Sequence, residues 1–395
     1  MRIRYVITRL NSMVAMRIVH IIPTLNIGGA ERLALDISQR LGKMGHAVKL
    51  LVLHKNGGYI LPKNATFMVE FLQEDFELHF LRGSKHYPSK LYSAIKSFNP
   101  DIIHSHLQES EFLSRLIPLS EDHKTAWFTH CHDSMPRLRP PSTFAPWKKS
   151  WIVSWYEHLL LRKLYKQKQP QHFIAISKSE KKYVEDSKSV RGEITLLSNA
   201  INSHIFTKNP KQKEPDFLSL INVGSFKAKK NQAYLLRVLG HLKKQKQFHS
   251  KLTCLGDGPL RAPFIEEAER LGLSSSVASE GNVNQVAPYL WKNTLYVHSA
   301  TYEPFGLVLV EAMAAGLPVI ALDARGNRDI VKDGVNGYLL PQDTKPEEFA
   351  AKIIAVWENK ELLKSLQKGA IETAAQYDIK PYCKKLVTLY EDALR

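Results

Sequence analysis

Short apolar runs recur along this chain, and each is followed by a glycine-rich or polar turn and a helical pattern. Residues 18–22 (IVHII) form the first run. Asn26-Ile27-Gly28-Gly29-Ala30-Glu31-Arg32 follows, then an amphipathic segment carrying Leu33, Leu35, Ile37 and Leu41. A strand that is apolar along its whole length is buried on both faces, the condition of a parallel sheet covered by helices. The same alternation predicts strands at 47–53, 67–72, 101–106, 125–132, 172–177 and 194–201. It resumes at 218–224, 251–259 (a strand ending in a Gly-Asp-Gly-Pro turn), 277–282, 295–299 and 319–323, with a helix expected at 266–271. Alternation sustained over this length specifies an α/β chain whose ligands bind beyond the carboxyl ends of its strands.

The segment 208–216 is polar and holds Pro210 and Pro215, so it reads as a linker between two such units. The expected division is an extension at 1–15, a first unit at 16–207, the linker at 208–216, a second unit at 217–377 and a closing helix at 378–395. With 395 residues, 44% hydrophobic and 24% charged, the chain has material for two cores. No apolar run is long enough for a membrane-spanning helix. Residues 1–16 are basic but lack the apolar centre and cleavage site of a signal peptide. Cys131, Cys254 and Cys383 are odd in number and far apart, which argues for a reducing compartment and against a disulfide framework or a zinc site built on thiolates.

The densest chemistry lies between Glu303 and Ile320. Pro304 and Gly306 punctuate the chain, so a helix is expected to begin near Gly306 and to end at Gly316, ahead of Pro318. Glu303 then sits in the loop entering the helix, and Glu311 about one and a half turns inside it. The free N–H groups of a helix N-terminus favour phosphate, and two acceptor-only carboxylates suit sugar hydroxyls. A buried helix with a chance pair of glutamates is the competing reading.

This stretch resembles the E-x7-E signature of the retaining glycosyltransferases of family 4, which have the GT-B fold: two Rossmann-like domains facing a central cleft. The resemblance covers residues 16–395 and is stronger in the second half. It implies that Glu303 meets the donor sugar and Glu311 the ribose of the nucleotide, with Phe305, Gly306 and Leu307 beside the donor. It makes Gly28 and Gly29, in the loop after the first strand, contacts of the diphosphate or the acceptor. It puts Gly256 and Gly258 near the nucleotide and Lys230 on the diphosphate. The family usually adds an arginine where this chain has Ser225; Lys227 or Lys229 could supply that charge, though a lysine is a flexible point charge and not a planar fork. The last helix is expected to cross back to the first domain and dock through Leu389 and Tyr390.

His104, His106, His130 and His132 fall at the ends of two predicted strands as two H-x-H pairs. Residues two apart on a strand share a face, so each pair could chelate a metal, but no carboxylate or cysteine cluster completes the set. The resemblance favours a different role for His132, beside the donor sugar as a second catalytic group. The chain has no D-x-D motif, so no metal is expected at the diphosphate, and no cofactor is expected.

Of the net charge of +17, a large share falls in 134–170, where eight basic side chains accompany the single acid Glu157. Trp147, Trp151 and Trp155 recur every fourth residue, and Arg162 continues their face. Such a segment suits an anionic membrane surface, with the tryptophans in the headgroup layer. The alternative is that the tryptophans pack into the first domain. No nucleic-acid-binding motif accompanies the charge.

The expected activity is transfer of a hexose from a nucleotide-sugar, with UDP-sugar as the expected donor, to a saccharide or lipid-linked acceptor. The product would be a step in envelope polysaccharide, capsule or lipopolysaccharide biosynthesis. The enzyme would be cytoplasmic and peripheral on the inner face of the cell membrane. A nucleotide-sugar epimerase of the same fold and a non-catalytic sugar-nucleotide-binding protein are the alternatives; Ser225 favours the latter.

Overall fold

The computed structural model describes residues 15–54, 58–59, 61–74, 87–118, 125–141, 144–167, 171–190, 192–207, 216–244 and 249–395. The extension expected at 1–15 and the linker at 208–216 therefore lie, but for Ala15 and Asp216, outside the described residues. The first sheet contains β1 (Arg17–Ile22), β2 (Ala47–Val52), β3 (Met68–Phe71), β4 (Ile102–His106), β5 (Ala126–Cys131), β6 (Gln171–Ala175) and β7 (Glu193–Leu196). The second contains β8 (Leu218–Val223), β9 (Ser250–Leu255), β10 (Val277–Gly281), β11 (Leu295–His298), β12 (Val319–Leu322) and β13 (Gly337–Leu340). Their orders are β3-β2-β1-β4-β5-β6-β7 and β10-β9-β8-β11-β12-β13, and the paired strands run parallel. In each sheet the order reverses beside the first strand, between β1 and β4 and between β8 and β11. Ligands of doubly wound sheets bind at that switch point, where loops to either side part.

The apolar runs explain the burial. Every residue of β4, β11 and β12 is buried, whereas the edge strand β3 is not. The helix Gly29–Lys43 covers the first sheet with Leu33, Ile37 and Leu41. The last helix, Ile379–Leu394, packs on the same core: Ile379, Tyr382, Leu386, Val387 and Tyr390 are buried there, and Leu389 packs at its rim. Tyr390 also bonds His104 Nδ1 at 2.5 Å.

Several boundaries differ from expectation. The strand expected at 194–201 stops at Leu196. Beyond it the backbone leaves the sheet and pairs with the returning chain: Ile201 N–H donates to Tyr377 O and Ile379 N–H to Ile201 O, both at 2.9 Å. The helix expected near 266–271 spans Arg261–Arg270. The turn at 333–340 delivers β13, a parallel neighbour of β12.

Candidate active site

The strand ends of the two sheets face each other. A methyl group on Gly29 would lie 3.1 Å from Leu307 Cδ1, so the first glycine loop runs directly against the start of the Glu311 helix. Tyr59 holds that loop by donating its hydroxyl to Gly28 O at 2.9 Å.

Glu303 is set by two neighbouring loops. Its N–H donates to Ala324 O and its carbonyl accepts from Gly326 N–H, each at 2.9 Å. The loop after β8 is stapled alongside: Thr301 N–H donates to Lys229 O at 2.9 Å, and Ser299 Oγ donates to Lys230 O at 3.0 Å. Lys230 Nζ thereby meets Glu303 Oε2 directly, and His298 Nε2 lies 3.5 Å from the same oxygen. Burial alone would raise the Glu303 carboxyl. Lys230 and His298 outweigh it and hold the group down to about 2, so it is ionised throughout the neutral range.

The helix begins as expected. It spans Leu307–Ala314, with Gly306 at its N-cap in the left-handed region (φ 105) and no side chain capping it. Its first N–H groups are thus available to an anion. Gly316 closes it at φ 83. Phe305 does not line the cleft with its side chain: it is buried in the second core, edge-on to Tyr377. Its contribution to a donor would come from the backbone.

Glu311 is the electrostatic opposite of Glu303. Burial raises its carboxyl to about 7, Asp36 adds to the rise, and Arg32 opposes it only in part. Arg32 is shared, since its Nε also pairs with Asp36 Oδ2 at 3.0 Å. One carboxylate is therefore fixed as an anion while the other titrates near neutrality.

Gly256 and Gly258 adopt φ of +123 and +150, where side chains are strained. A Cβ on Gly256 would collide with Gly224 O, and one on Gly258 would lie 2.6 Å from Phe226 O. The two turns are packed backbone to backbone, close to Lys230. Of the lysines near Ser225, Lys229 turns outward across the cleft, 3.8 Å from Asp133 Oδ2, and Lys227 is exposed.

His132 is 7% exposed, and burial lowers its imidazole to about 3, so it is neutral. Its Nε2 bonds His106 Nδ1 at 2.8 Å, and its Nδ1 has no partner among the described residues. The next two residues join the domains: Tyr302 donates to Asp133 Oδ1 at 2.6 Å and contacts Ser134 Oγ at 3.0 Å. On the far side of the cleft, Lys178 N–H donates to Asp329 Oδ2 at 2.8 Å. The tryptophans do not form one outward face. Trp147 precedes the helix Lys149–Gln167 and is 75% exposed, whereas Trp151 and Trp155 are half-buried and pack edge to face at 5.8 Å. Arg162 is exposed.

Sequence reasoning missed His298, Arg32 with Asp36, Tyr302 with Asp133, and His20. The first two had a signal in hindsight: His298 ends the strand leading to Glu303, and Arg32 closes the GGAER loop.

Two facing parallel sheets, with a lysine-paired glutamate and an uncapped helix at their cleft, define the GT-B class. Residues 27–204 match the model of glycosyltransferase family 4, and residues 203–373 that of glycosyl transferases group 1, so the chain belongs to the family 4 glycosyltransferases. Bacillus subtilis EpsF, named as a glycosyltransferase, is 25% identical over 330 residues, 78% of this chain and 79% of its own. EpsD of the same organism is 29% identical over 178 residues, which is 45% of this chain and only 46% of its own length. The structure of Anabaena HepE in complex with UDP and glucose superposes with a TM-score of 0.75 at 19% identity, covering 95% of this chain and 99% of HepE. That of WaaG, a glycosyltransferase involved in lipopolysaccharide biosynthesis, gives 0.71 at 17% identity over 94% and 99%. At these identities the structures establish the shared fold.

Proposed function

We propose that this protein transfers a hexose from a UDP-sugar to a hydroxyl of a saccharide or lipid-linked acceptor, with retention at the anomeric carbon, in the assembly of an envelope polysaccharide. The observation that carries this reading is the Lys230–Glu303 pair beside the open N-terminus of the helix Leu307–Ala314, with Glu311 farther along that helix. The HepE complex with UDP-glucose and the role named for WaaG support the donor and the pathway class.

In this reading the diphosphate lies over the helix N-terminus and against Lys230, without a metal. Glu311 accepts from ribose hydroxyls, and Glu303 accepts from a hydroxyl of the donor sugar. The neutral His132 faces the sugar through Nδ1. The acceptor oxygen attacks the anomeric carbon on the side from which the sugar–phosphate bond breaks. The acceptor's proton passes to the departing phosphate oxygen, and Lys230 and the helix N–H groups stabilise the charge left on UDP. Gly28, Gly29, Gly256 and Gly258 let backbone approach the ligand closely. The acceptor side carries Phe144, Trp147, Ile152 and Leu159, all exposed among Lys148, Lys149, Arg162 and Lys163, a combination suited to an anionic leaflet at the inner face of the membrane.

A thermal-shift screen of nucleotide sugars tests the donor, because ligand at 100 times its Kd adds about 2.7 kcal/mol. One UDP-sugar should raise Tm in the wild type and not in Glu311→Ala. NMR of the product should show the donor's anomeric configuration. An inverted product, or turnover of the donor into an epimer without acceptor, would refute the reading.

A further inference from the structure

Five histidines from three adjacent strands occupy one face of the first sheet: His20 on β1, His104 and His106 on β4, His130 on β5 and His132 just beyond it. Registry brings them together, since His20 lies opposite His104 and His106 opposite His130. Sequence alone offered two H-x-H pairs and nothing to complete them. The structure merges the pairs and adds His20. All five are buried, and their rings stack, with centroids 4.1 Å apart for His130–His132 and 4.6 Å for His104–His106.

Hydrogen bonding does not account for the cluster. His20 Nδ1 meets His106 Nε2 at 2.9 Å, and His106 Nδ1 meets His132 Nε2 at 2.8 Å. Both nitrogens of His130, together with His132 Nδ1, His20 Nε2 and His104 Nε2, have no hydrogen-bond partner among the described residues. Asn199 lies beside His130, and its Oδ1 likewise has no partner among the described residues. An unpaired buried polar atom is costly, so packing alone would favour apolar residues here. A neutral imidazole has a lone pair to give a metal.

The ligating atoms of His106, His130 and His132 all lie within 4.8 Å of one another, as do those of His20, His104 and His106. The first triad is favoured. His130 has both nitrogens free there, and His132 adjoins Asp133 and Ser134 at the cleft. We propose that His106, His130 and His132 form a three-imidazole site for a transition-metal ion of the zinc class, with its fourth position open beside His132. Imidazole donors without carboxylates select zinc, copper or nickel over magnesium, calcium or manganese. Three protein ligands and one open position are a common zinc arrangement.

The ion would sit between His106 Nδ1 and His132 Nε2 in place of their shared proton. Their 2.8 Å gap need widen only to about 3.3 Å, the separation of two nitrogens each about 2.05 Å from tetrahedral zinc. His106 Nε2–H would then donate to His20 Nδ1, the outer hydrogen bond that orients metal-bound histidines. Binding through Nε2 also fixes the His132 proton on Nδ1, making that atom a donor.

The test uses the full-length protein and Co2+ alone as probe. One equivalent should give the visible absorption of tetrahedral Co2+, and Zn2+ should displace it. His130→Gln and His106→Gln should each lower the band at least tenfold while circular dichroism shows the fold retained. Should either variant fail to fold, X-ray absorption of the zinc-loaded wild type decides, with three nitrogen neighbours expected at about 2.0 Å. No stoichiometric band, an octahedral spectrum, a band unchanged by His130→Gln, or a zinc shell without three nitrogens would overturn the site. None of these readouts depends on sugar transfer, so the site and the proposed reaction fail separately.

Discussion

The Tyr302 hydroxyl, from the second half of the chain, donates to Asp133 Oδ1 of the first half at 2.6 Å. Ser134 Oγ lies 3.0 Å from the same hydroxyl, and Lys229 Nζ lies 3.8 Å from Asp133 Oδ2 while also facing the Tyr302 ring. The loops after β5 and β11 are thus fastened to each other at the edge of the cleft. This fastening holds the closed arrangement in which Gly29 touches Leu307.

Tyr302→Phe removes the donor and keeps the ring. One hydrogen bond to a charged group is worth about 1.5–3 kcal/mol. The cost should fall on domain closure and not on either core. Small-angle scattering should show a larger radius of gyration for the free variant, with compactness restored by saturating donor. An unchanged scattering curve would rule out this role for the contact.

Lys230→Met should remove donor binding and also leave Glu303 as a buried, poorly paired charge. Loss of one partner of a buried pair costs about 3–5 kcal/mol. The folded-state carboxyl near 2 is below its ordinary 4.5, so its contribution is present above 4.5 and is lost as pH falls from there towards 2. That contribution is about 3 kcal/mol. Wild-type Tm should therefore fall through this window by more than that of Lys230→Met, which lacks the effect from the outset. Parallel Tm curves would contradict the pairing.

Glu311 has the opposite sign. Its folded carboxyl, raised to about 7, lies above its ordinary 4.5, so ionising it costs stability as pH rises through 7. A ribose hydroxyl donating to the carboxylate favours the ionised form. UDP-glucose, whose phosphates do not titrate in this range, should bind more tightly as pH rises from about 6 to 8 and should release a proton. Calorimetry in buffers of different ionisation heat reads both effects. Glu311→Gln should bind weakly, with no pH slope; a slope retained in this variant would assign it to another group.

Gly256→Ala forces a side chain into a left-handed backbone against Gly224 O. Strain of this kind costs about 1–3 kcal/mol. The displaced turn adjoins the loop that carries Lys230, so donor affinity should fall at least tenfold together with Tm. Gly240→Ala is the control: a methyl there meets nothing within 4 Å, and Tm should hold or rise.

The sequence made the sheets legible because buried parallel strands are apolar throughout and need no partner to be recognised. It exposed Glu303 and Glu311 because one helix and its entry loop carry both. Groups joined only by folding were harder to see. Lys230 and Glu303 are 73 residues apart, and nothing in the sequence pairs them. His20 lies in a run that reads as plain strand, so the two H-x-H pairs looked incomplete. Phe305 sits in the motif yet belongs to the core, because a motif fixes backbone positions and not the direction of each side chain. The every-fourth-residue tryptophans continued a helical pattern across residue 147, but the helix begins at Lys149, which leaves Trp147 outside the face shared by Trp151 and Trp155.

The helix Ile379–Leu394 also has a consequence for synthesis. It fills the core built on β1, β2 and β4, and Tyr390 caps His104 there. A nascent chain that has just completed β7 still lacks that wall, and the flank of the helix Gly29–Lys43 that meets it is left uncovered. At about 5–20 residues per second the ribosome needs roughly 10–40 seconds to make what remains. The half translated first is therefore the last to be finished, and it waits with an apolar flank open while the second half folds.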